Sequence, residues 1–305
     1  MSKILVVFAA TGHQGGSVVN SVLEDATLSK EFKIRAVTRN ASSDAAKALA
    51  SKGVEVVETR LDDAGSVAAA LEGSHTVFAN TVTVFEDYEE ETRLGKLIAD
   101  KAVEAGAAFL VWSSVPSPTK VTHGKVTQVT SFETKVAVED YIKTLPIKSA
   151  FYWPASFMQN FARPFRPQPA DDGRFLIRNL FNKDTPLPLV DVDDSGKFVA
   201  SLIADPDFFA GKHIAGVSGV YTPAQFAEIV GAATGKHVEY EQLADDAFKA
   251  PPPFNSVLVT SMMKYFRDYN YYGPAQDEEV QFALNHVRSK PRTLQEYLKA
   301  NPLAL

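Results

Sequence analysis

The chain contains no cysteine among its 305 residues, and this absence excludes several kinds of chemistry. Without thiols it has no disulfide bonds, no cysteine nucleophile and no thiolate ligands for a metal. The histidines lie at positions 13, 75, 123, 213, 237 and 286, without HxxxH or HxH spacing. Since a protein metal site needs several converging ligands, we expect no dedicated metal site.

Long apolar runs and an excess of basic residues are also missing. No stretch reaches the roughly 20 apolar residues that span a bilayer. Met1 leads into a short apolar run with no cleavable signal after it, so we expect a cytoplasmic protein without a membrane anchor. The net charge of -6 argues against a nucleic-acid partner. The 45% hydrophobic and 22% charged residues are typical of a globular protein.

The first half of the chain alternates short apolar runs with helical patterns, which predicts repeated βαβ units. The predicted strands are 3–8, 33–37, 54–57, 76–79, 109–112 and 148–152. The predicted helices between them are 17–25, 44–51, 65–71, 88–105 and 131–144. This order predicts an α/β fold with a doubly wound parallel sheet of Rossmann type.

The pattern changes after residue 153, where prolines between 154 and 188 indicate loops. The later predicted helices are 195–203, 223–233, 256–269, 277–287 and 293–300, and 212–217 predicts a strand that returns to the main sheet. We therefore expect a Rossmann domain over 1–155, completed by segments near 186–217. Residues 156–305 are expected to form a smaller, mostly helical domain for a substrate or a partner.

A glycine-containing turn follows the first strand, with the sequence AATGHQGG at 9–16. Dinucleotide sites place glycines here because side chains would keep the backbone away from the pyrophosphate, which then meets a helix N-terminus. Gly12 and Gly15 fit this arrangement, and Ala9 stands where the first glycine is usual. If position 9 needs a positive φ, alanine costs about 1 kcal/mol there. The alternative is a tight turn that binds no ligand.

The end of the second strand indicates which dinucleotide binds. NAD sites usually carry Asp or Glu here for the ribose 2′-hydroxyl. This chain has VTRN at 37–40, and the Arg39 guanidinium can donate to a 2′-phosphate. The sequence thus predicts NADP(H) rather than NAD, although a solvated arginine at a strand end is an alternative.

Seven segments, in order and at family-like separations, resemble the NmrA-like family of atypical short-chain dehydrogenases. They are VVFAATGHQGGSV (6–18), AVTRN (36–40), LDD (61–63), ETKVAVEDYI (133–142), PASFMQNF (154–161), PLVDVDDSGKFVA (188–200) and YTPAQFAEI (221–229). Ala9 departs from the family pattern, and so does Thr59-Arg60, where Gly-Asp is common. The adenine contact is therefore in doubt, and approach of Arg60 to a phosphate stays open.

The resemblance implies a set of residues that bind the cofactor. The pyrophosphate would be lined by Thr11, Gly12, Gln14 and Gly15, and Ala10 and His13 in the same turn would also bind the cofactor. The 2′-phosphate would be held by Thr38 and Arg39. Leu61 and Asp62 would lie by the adenine. Asn80 and Thr81 would lie by the ribose and nicotinamide.

The resemblance also identifies Lys135 as the lysine of the Tyr-x-x-x-Lys pair, in which lysine holds the ribose and lowers the tyrosine pKa. Ser131 replaces the tyrosine, so the standard mechanism is absent. Lys135 is then expected to hold the ribose and to assist proton transfer, unless it is a solvated lysine paired with Glu139.

The candidate auxiliary acids are Tyr88, His123 and Ser114. His123 lies in the polar segment 116–130, which is predicted to be a lid over the cofactor.

Aromatic residues follow the fourth and sixth strands, where the ligand crevice of a doubly wound sheet opens. Phe85, Tyr88, Trp153 and Phe157 are candidates to line it, with Pro154 beside the cofactor; packing in the core is the alternative. The aromatic run at 265–272 is open to three interpretations: closing the pocket, binding a partner or burying itself. Its helical spacing favours packing.

Two functions fit these features. The first is an NADPH-dependent reductase of a small hydrophobic carbonyl, enone, quinone or imine, with redox-neutral catalysis assisted by the cofactor as a variant. The second is a regulator without chemistry of its own, which senses NADP(H) and binds a protein partner.

Overall fold

The computed structural model describes residues 2–81, 87–163, 165–250 and 255–305. The strands of these ranges are β1 (Lys3–Val7), β2 (Phe32–Thr38), β3 (Glu55–Glu58), β4 (Thr76–Ala79), β5 (Phe109–Ser113), β6 (Lys148–Pro154), β7 (Ser156–Phe157), β8 (Gln168–Pro169), β9 (Phe175–Asn179), β10 (Leu187–Val190), β11 (His213–Gly216), β12 (Gly219–Tyr221) and β13 (Val238–Gln242). The helices are α1 (His13–Glu24), α2 (Leu28–Glu31), α3 (Asp44–Ser51), α4 (Ala64–Leu71), α5 (Tyr88–Glu104), α6 (Pro118–Val121), α7 (Thr130–Ile142), α8 (Ser195–Ala204), α9 (Pro223–Thr234), α10 (Ser256–Tyr269), α11 (Gln276–His286) and α12 (Leu294–Ala300). Two 3₁₀ turns cover Met158–Ala162 and Val192–Asp194.

A seven-stranded parallel sheet dominates the molecule, in the order β11-β6-β5-β4-β1-β2-β3. The chain order reverses between β1 and β4, and this is the switch point at which doubly wound sheets bind ligands. The predicted doubly wound Rossmann-type sheet is confirmed. The returning strand predicted at 212–217 is β11, which pairs with β6.

The predicted elements are all present, with ends within two residues of those expected, except at the start of α1. This helix begins at His13 instead of residue 17. Glycines lower helix propensity, so Gly15 and Gly16 did not suggest a helix. They are helical because their lack of a side chain lets this turn of α1 lie against the backbone of Ala9 and Ala10.

Two small sheets in the second half were not predicted. One has the order β12-β10-β7, and the other has the order β13-β9-β8. Pro188 lies within β10 and Pro169 within β8. Because proline removes a backbone donor and is rare in strands, these prolines favoured loops in the sequence. The second half therefore combines helices α9 to α12 with short strands.

Helices cover both faces of the large sheet. On one face α1 packs on α8, where the Gly196 amide donates to Ser17 Oγ at 2.8 Å. On the other face α5 packs on α7, and their apolar sides bury Ile98 and Val138. β11 thus joins the large sheet beside β6, and α8 packs against these two strands, although both elements follow residue 190. These layers leave the carboxyl ends of β1 to β6 at one edge, where the candidate site lies.

Candidate functional site

The turn after β1 has the geometry that a pyrophosphate requires. Ala9 takes a φ of 50°, in the left-handed region, so the expected cost of alanine at this position applies. The Gly12 amide donates to the Ala9 carbonyl at 2.9 Å and closes the turn. A Cβ on Gly15 would collide with the Ala9 backbone, so only glycine fits. Gly12 caps α1, and no side chain in the described ranges takes up the first amides of this helix. Those amides are the donors that a phosphate group needs.

Gln14 connects this turn to two other strand ends. Its Oε1 accepts from Asn80 Nδ2 at 3.1 Å and from Ser113 Oγ at 2.8 Å. The structure thus brings together two predicted residues, Gln14 and Asn80. Ser113 was not predicted, although its position at the end of β5 could have suggested it. The next residue, Ser114, is buried, and its hydroxyl faces the Lys135 carbonyl at 3.5 Å.

Threonines gather where β1 and β2 end. Thr11 Oγ1 and Thr38 Oγ1 lie 3.1 Å apart, and the Asn40 amide donates to Thr38 Oγ1 at 3.3 Å. Arg39 follows with an exposed side chain, and no ion pair ties it to another described residue. An exposed guanidinium next in the chain to the buried Thr38 is suited to an anion at this edge.

Arg60 and Asp62, just after β3, bind each other. Arg60 Nε lies 3.2 Å from Asp62 Oδ1, and Nη2 lies 3.0 Å from Oδ2. The hydrogen bond from Arg60 lowers the pKa of Asp62. Asp62 thus pairs with Arg60, and Leu61 is half-buried beside it; the place of Leu61 and Asp62 by an adenine stays a prediction. Thr59 is buried, and its hydroxyl has no hydrogen-bond partner within the described part of the chain.

Lys135 lies in a buried polar cluster. Its Nζ is 2.6 Å from Glu91 Oε1, 2.6 Å from the Thr81 carbonyl and 2.9 Å from Thr81 Oγ1. The Lys135 side chain is 13% exposed and that of Glu91 is 1% exposed. Burial lowers the pKa of Lys135, and the Glu91 carboxylate opposes this shift. The interpretation of Lys135 as a solvated lysine paired with Glu139 is therefore wrong.

Glu91 was missed in the sequence, although a signal was present. It lies on the apolar side of α5, in line with the buried Gly95, Ile98 and Ala102. A carboxylate among apolar positions at helical spacing needs a charged partner, because an isolated buried charge is unstable. Lys135 is that partner.

The backbone of Lys135 is fixed as well. Trp112 Nε1 donates to the Lys135 carbonyl at 3.0 Å, and Lys135 Nζ lies 5.7 Å from the centre of the Trp112 ring. Ser131, one turn earlier in α7, is half-buried, and its carbonyl accepts from Thr134 Oγ1 at 3.1 Å. The position of the usual tyrosine therefore presents no phenol.

The auxiliary acid candidates lie in different settings. Tyr88 is the first residue of α5 and is partly buried, three residues before Glu91. His123 is exposed, with a φ of 51°. The predicted lid is attached to α7, because the Glu133 carboxylate accepts from Ser117 Oγ at 2.9 Å. Phe85, the remaining aromatic candidate after β4, lies outside the described residues.

Trp153 and Phe157 occupy packed positions. Trp153 Nε1 donates to Glu139 Oε2 at 2.9 Å, and its ring stacks on His213 with centroids 3.6 Å apart. Phe157 belongs to β7 and pairs with Val190. The contacts of Trp153 are thus with α7 and β11, and its place beside a cofactor stays a prediction.

The C-terminal aromatic run is part of the core. Tyr265, Phe266, Tyr271 and Tyr272 are buried. The Tyr271 hydroxyl donates to the Pro154 carbonyl at 2.7 Å, and the Tyr272 hydroxyl donates to the Trp153 carbonyl at 2.9 Å. Of the three interpretations, packing is confirmed for these four residues.

Solved structures share this architecture. The NADP complex of NmrA, a negative transcriptional regulator, superposes with a TM-score of 0.80 at 22% identity, covering 99% of this chain and 98% of that one. The Citrobacter sp. triphenylmethane reductase with NADP(H) gives 0.75 at 19% identity, covering 98% and 99%. The fold is therefore the Rossmann-type fold of these proteins.

Sequence comparison identifies the family. The model of the NmrA-like family matches residues 1–298. The NmrA-like family domain-containing oxidoreductase cpsB of Aspergillus campestris is 35% identical over 274 residues, covering 83% of this chain and 79% of that protein. The chain belongs to the NmrA-like family. No helix within the described residues is long and apolar enough to cross a membrane.

Proposed function

We propose that the protein binds NADP(H) at the edge of its large sheet and uses NADPH to reduce a small hydrophobic organic molecule. The acceptor would be a carbonyl, enone, quinone or imine. The observation that carries this proposal is the buried Lys135–Glu91 pair beside the strand ends, because a desolvated, charge-paired lysine at a sheet edge is typical of functional sites.

The residues present fit such a cofactor. Gly15 lets the first turn of α1 lie against the Ala9 backbone, and the uncapped start of α1 offers amides to the pyrophosphate. Arg39, exposed beside the Thr11–Thr38 contact, supplies the charge that distinguishes a 2′-phosphate from a hydroxyl. Complexes of two structural neighbours with NADP or NADP(H) add support.

Each end of the site has a separate task in this proposal. The reduced cofactor supplies a hydride when bound. Gln14, fixed by Asn80 and Ser113, orients the turn over the strand ends. Lys135 places a positive charge beside Thr81, at the end of β4. Tyr88 is preferred to His123 as proton donor, because it lies one helical turn from Glu91. The relative cpsB is itself named as an oxidoreductase.

Turnover can be tested through the absorbance of reduced nicotinamide with a panel of enones, quinones, aldehydes and imines. Lys135→Met removes the charge and keeps the length of the side chain. Lys101→Met is the matched control, because Lys101 pairs with Glu104 at the C-terminal end of α5, away from the predicted site. We expect turnover to fall at least about tenfold in Lys135→Met only, with NADPH still bound. If NADPH bound tightly but no acceptor in the panel oxidised it, the proposed reductase function would be contradicted.

A second candidate is a regulator that senses NADP(H) without chemistry. Ser131 in the tyrosine position favours it, and so does the NmrA neighbour, described as a negative transcriptional regulator. This function predicts that NADPH and NADP+ bind with different affinities and change capture of a protein partner. Equal affinities for NADPH and NADP+, with no oxidation of NADPH, would instead favour redox-neutral catalysis assisted by the cofactor.

A further inference from the structure

The ammonium group of Lys135 has no proton left for a new acceptor. An ammonium has three N–H donors. Glu91 Oε1, the Thr81 carbonyl and Thr81 Oγ1 lie within 2.6 to 2.9 Å of Nζ and take all three. The lysine is therefore both charged and fixed in direction.

The Glu91 carboxylate has further partners. Its Oε1 also accepts from Thr81 Oγ1 at 3.0 Å, and its Oε2 lies 3.3 Å from Thr134 Oγ1, whose single proton is shared with the Ser131 carbonyl. Glu91 is 1% exposed, so water cannot replace a lost partner. Removing one charge of a buried pair is strongly destabilising, because the other charge is left without compensation.

We propose that Glu91 is a positioning residue that keeps Lys135 protonated and stationary, so that Lys135 acts as a permanent cation and retains its proton during turnover. The inference rests on the proposed role of Lys135 at the cofactor. It leaves the proton that a reduction consumes to Tyr88 or to water.

The surroundings of Lys135 support one dominant charge. Glu91 faces it from α5, Thr81 from the end of β4 and the Trp112 ring from β5. Burial lowers the pKa of Lys135, and Glu91 is the group that raises it. Without the Glu91 charge, the Lys135 pKa should therefore fall further.

The other carboxylates of α7 are occupied elsewhere. Glu133 accepts from Ser117, and Glu139 accepts from Trp153 and pairs with Lys143. Asp140 pairs with Lys120. None of the three replaces Glu91 as a partner for Lys135.

The test measures the titration of Lys135 directly and needs neither cofactor nor turnover. Acetic anhydride acylates neutral amines, and mass spectrometry of the Lys135 peptide gives the rate at each pH. The variants are Glu91→Gln, which removes the charge and keeps the shape, and Glu91→Asp, which keeps the charge. Glu90→Gln is the control, because Glu90 pairs with the exposed Arg93 on the same helix.

We expect Lys135 to titrate in the alkaline range in the wild type, in Glu91→Asp and in Glu90→Gln. In Glu91→Gln we expect an apparent pKa lower by about one unit or more. Identical titrations in the wild type and Glu91→Gln would overturn the proposal. Titration of Lys135 near neutral pH in the wild type would also overturn the proposal. This second result can be obtained even if no variant folds.

Turnover provides the second readout. If Lys135 donated its proton, Glu91→Gln would make it a stronger acid and raise kcat at neutral pH. We expect kcat to fall about tenfold or more instead, with the alkaline limit of the pH profile moved to lower pH. A raised kcat would overturn retention of the proton. A shifted acylation titration with no acceptor reduced would support the Glu91 assignment and contradict the reductase.

Discussion

The carbonyl group of Ala9 lies in the space that a Cβ on residue 15 would fill, and Ala9 itself has a φ of 50°. Both positions therefore favour glycine, but only position 15 has it. Gly15 must lack a side chain, whereas Ala9 carries one in a conformation that favours glycine. This relationship gives the first prediction.

Ala9→Gly should raise the free energy of unfolding, and Gly15→Ala should lower it. Relief of the left-handed alanine is worth about 1 kcal/mol, and overpacking at position 15 costs about 1–3 kcal/mol. Urea unfolding measures both changes, and NADPH titration should show weaker binding only in Gly15→Ala. Gly16→Ala is the control, because its Cβ would lie 3.4 Å from the Ala10 carbonyl, near ordinary contact. Equal effects of the two Gly→Ala variants would contradict this account.

Arg39→Ala should reduce the preference for NADPH over NADH. Loss of a hydrogen bond to a charged group costs about 1.5–3 kcal/mol, or roughly ten- to a hundredfold in NADPH affinity, with NADH affinity nearly unchanged. Fluorescence titration with both cofactors gives the ratio. Arg60→Ala is the comparison, because Arg60 is already paired with Asp62. If Arg60→Ala lowered the ratio more than Arg39→Ala, the 2′-phosphate would lie nearer Arg60.

The fold was predictable because its signals are local. The apolar run at 109–112 predicts a buried strand, and the helical spacing of apolar residues at 44–51 predicts a helix with one buried face. In both cases the pattern lies within one short segment. The two small sheets were hidden because short strands containing Pro169 or Pro188 carry too little pattern.

The site was only partly predictable, for a different reason. The resemblance to the NmrA-like family indicated Gln14, Asn80 and Lys135. The partners Ser113 and Glu91 become neighbours only through the sheet order and the packing of α5 on α7. Contacts across elements do not follow from spacing in one segment.

Trp153→Phe tests whether Trp153 packs or lines a ligand pocket. Phenylalanine can still stack on His213 but cannot donate to Glu139, so we expect a loss of about 1–2 kcal/mol in the free energy of unfolding. NADPH affinity and the KM of any acceptor should stay within about twofold, a change worth under 0.5 kcal/mol. Stability is read from urea unfolding and KM from steady-state rates. A large rise in KM with an unchanged free energy of unfolding would indicate that Trp153 lines the ligand pocket.

Asp245 should contribute to stability in a way that disappears in acid. Hydrogen bonds from Arg267 and Lys264 hold the pKa of Asp245 at about 2, below its ordinary 3.8. A lowered carboxyl pKa stabilises the fold fully above the unfolded value, and the effect is lost as pH falls through the folded value. The difference in unfolding free energy between wild type and Asp245→Asn should therefore be constant above pH 5 and shrink between about pH 4 and 2.

Because the Asp245–Arg267 ion pair is partly exposed, added salt should reduce this difference in unfolding free energy. The exposed neighbour Asp246→Asn serves as the control in urea unfolding at each pH. A difference that is the same at pH 5 and pH 2 would mean that Asp245 acts through packing rather than charge.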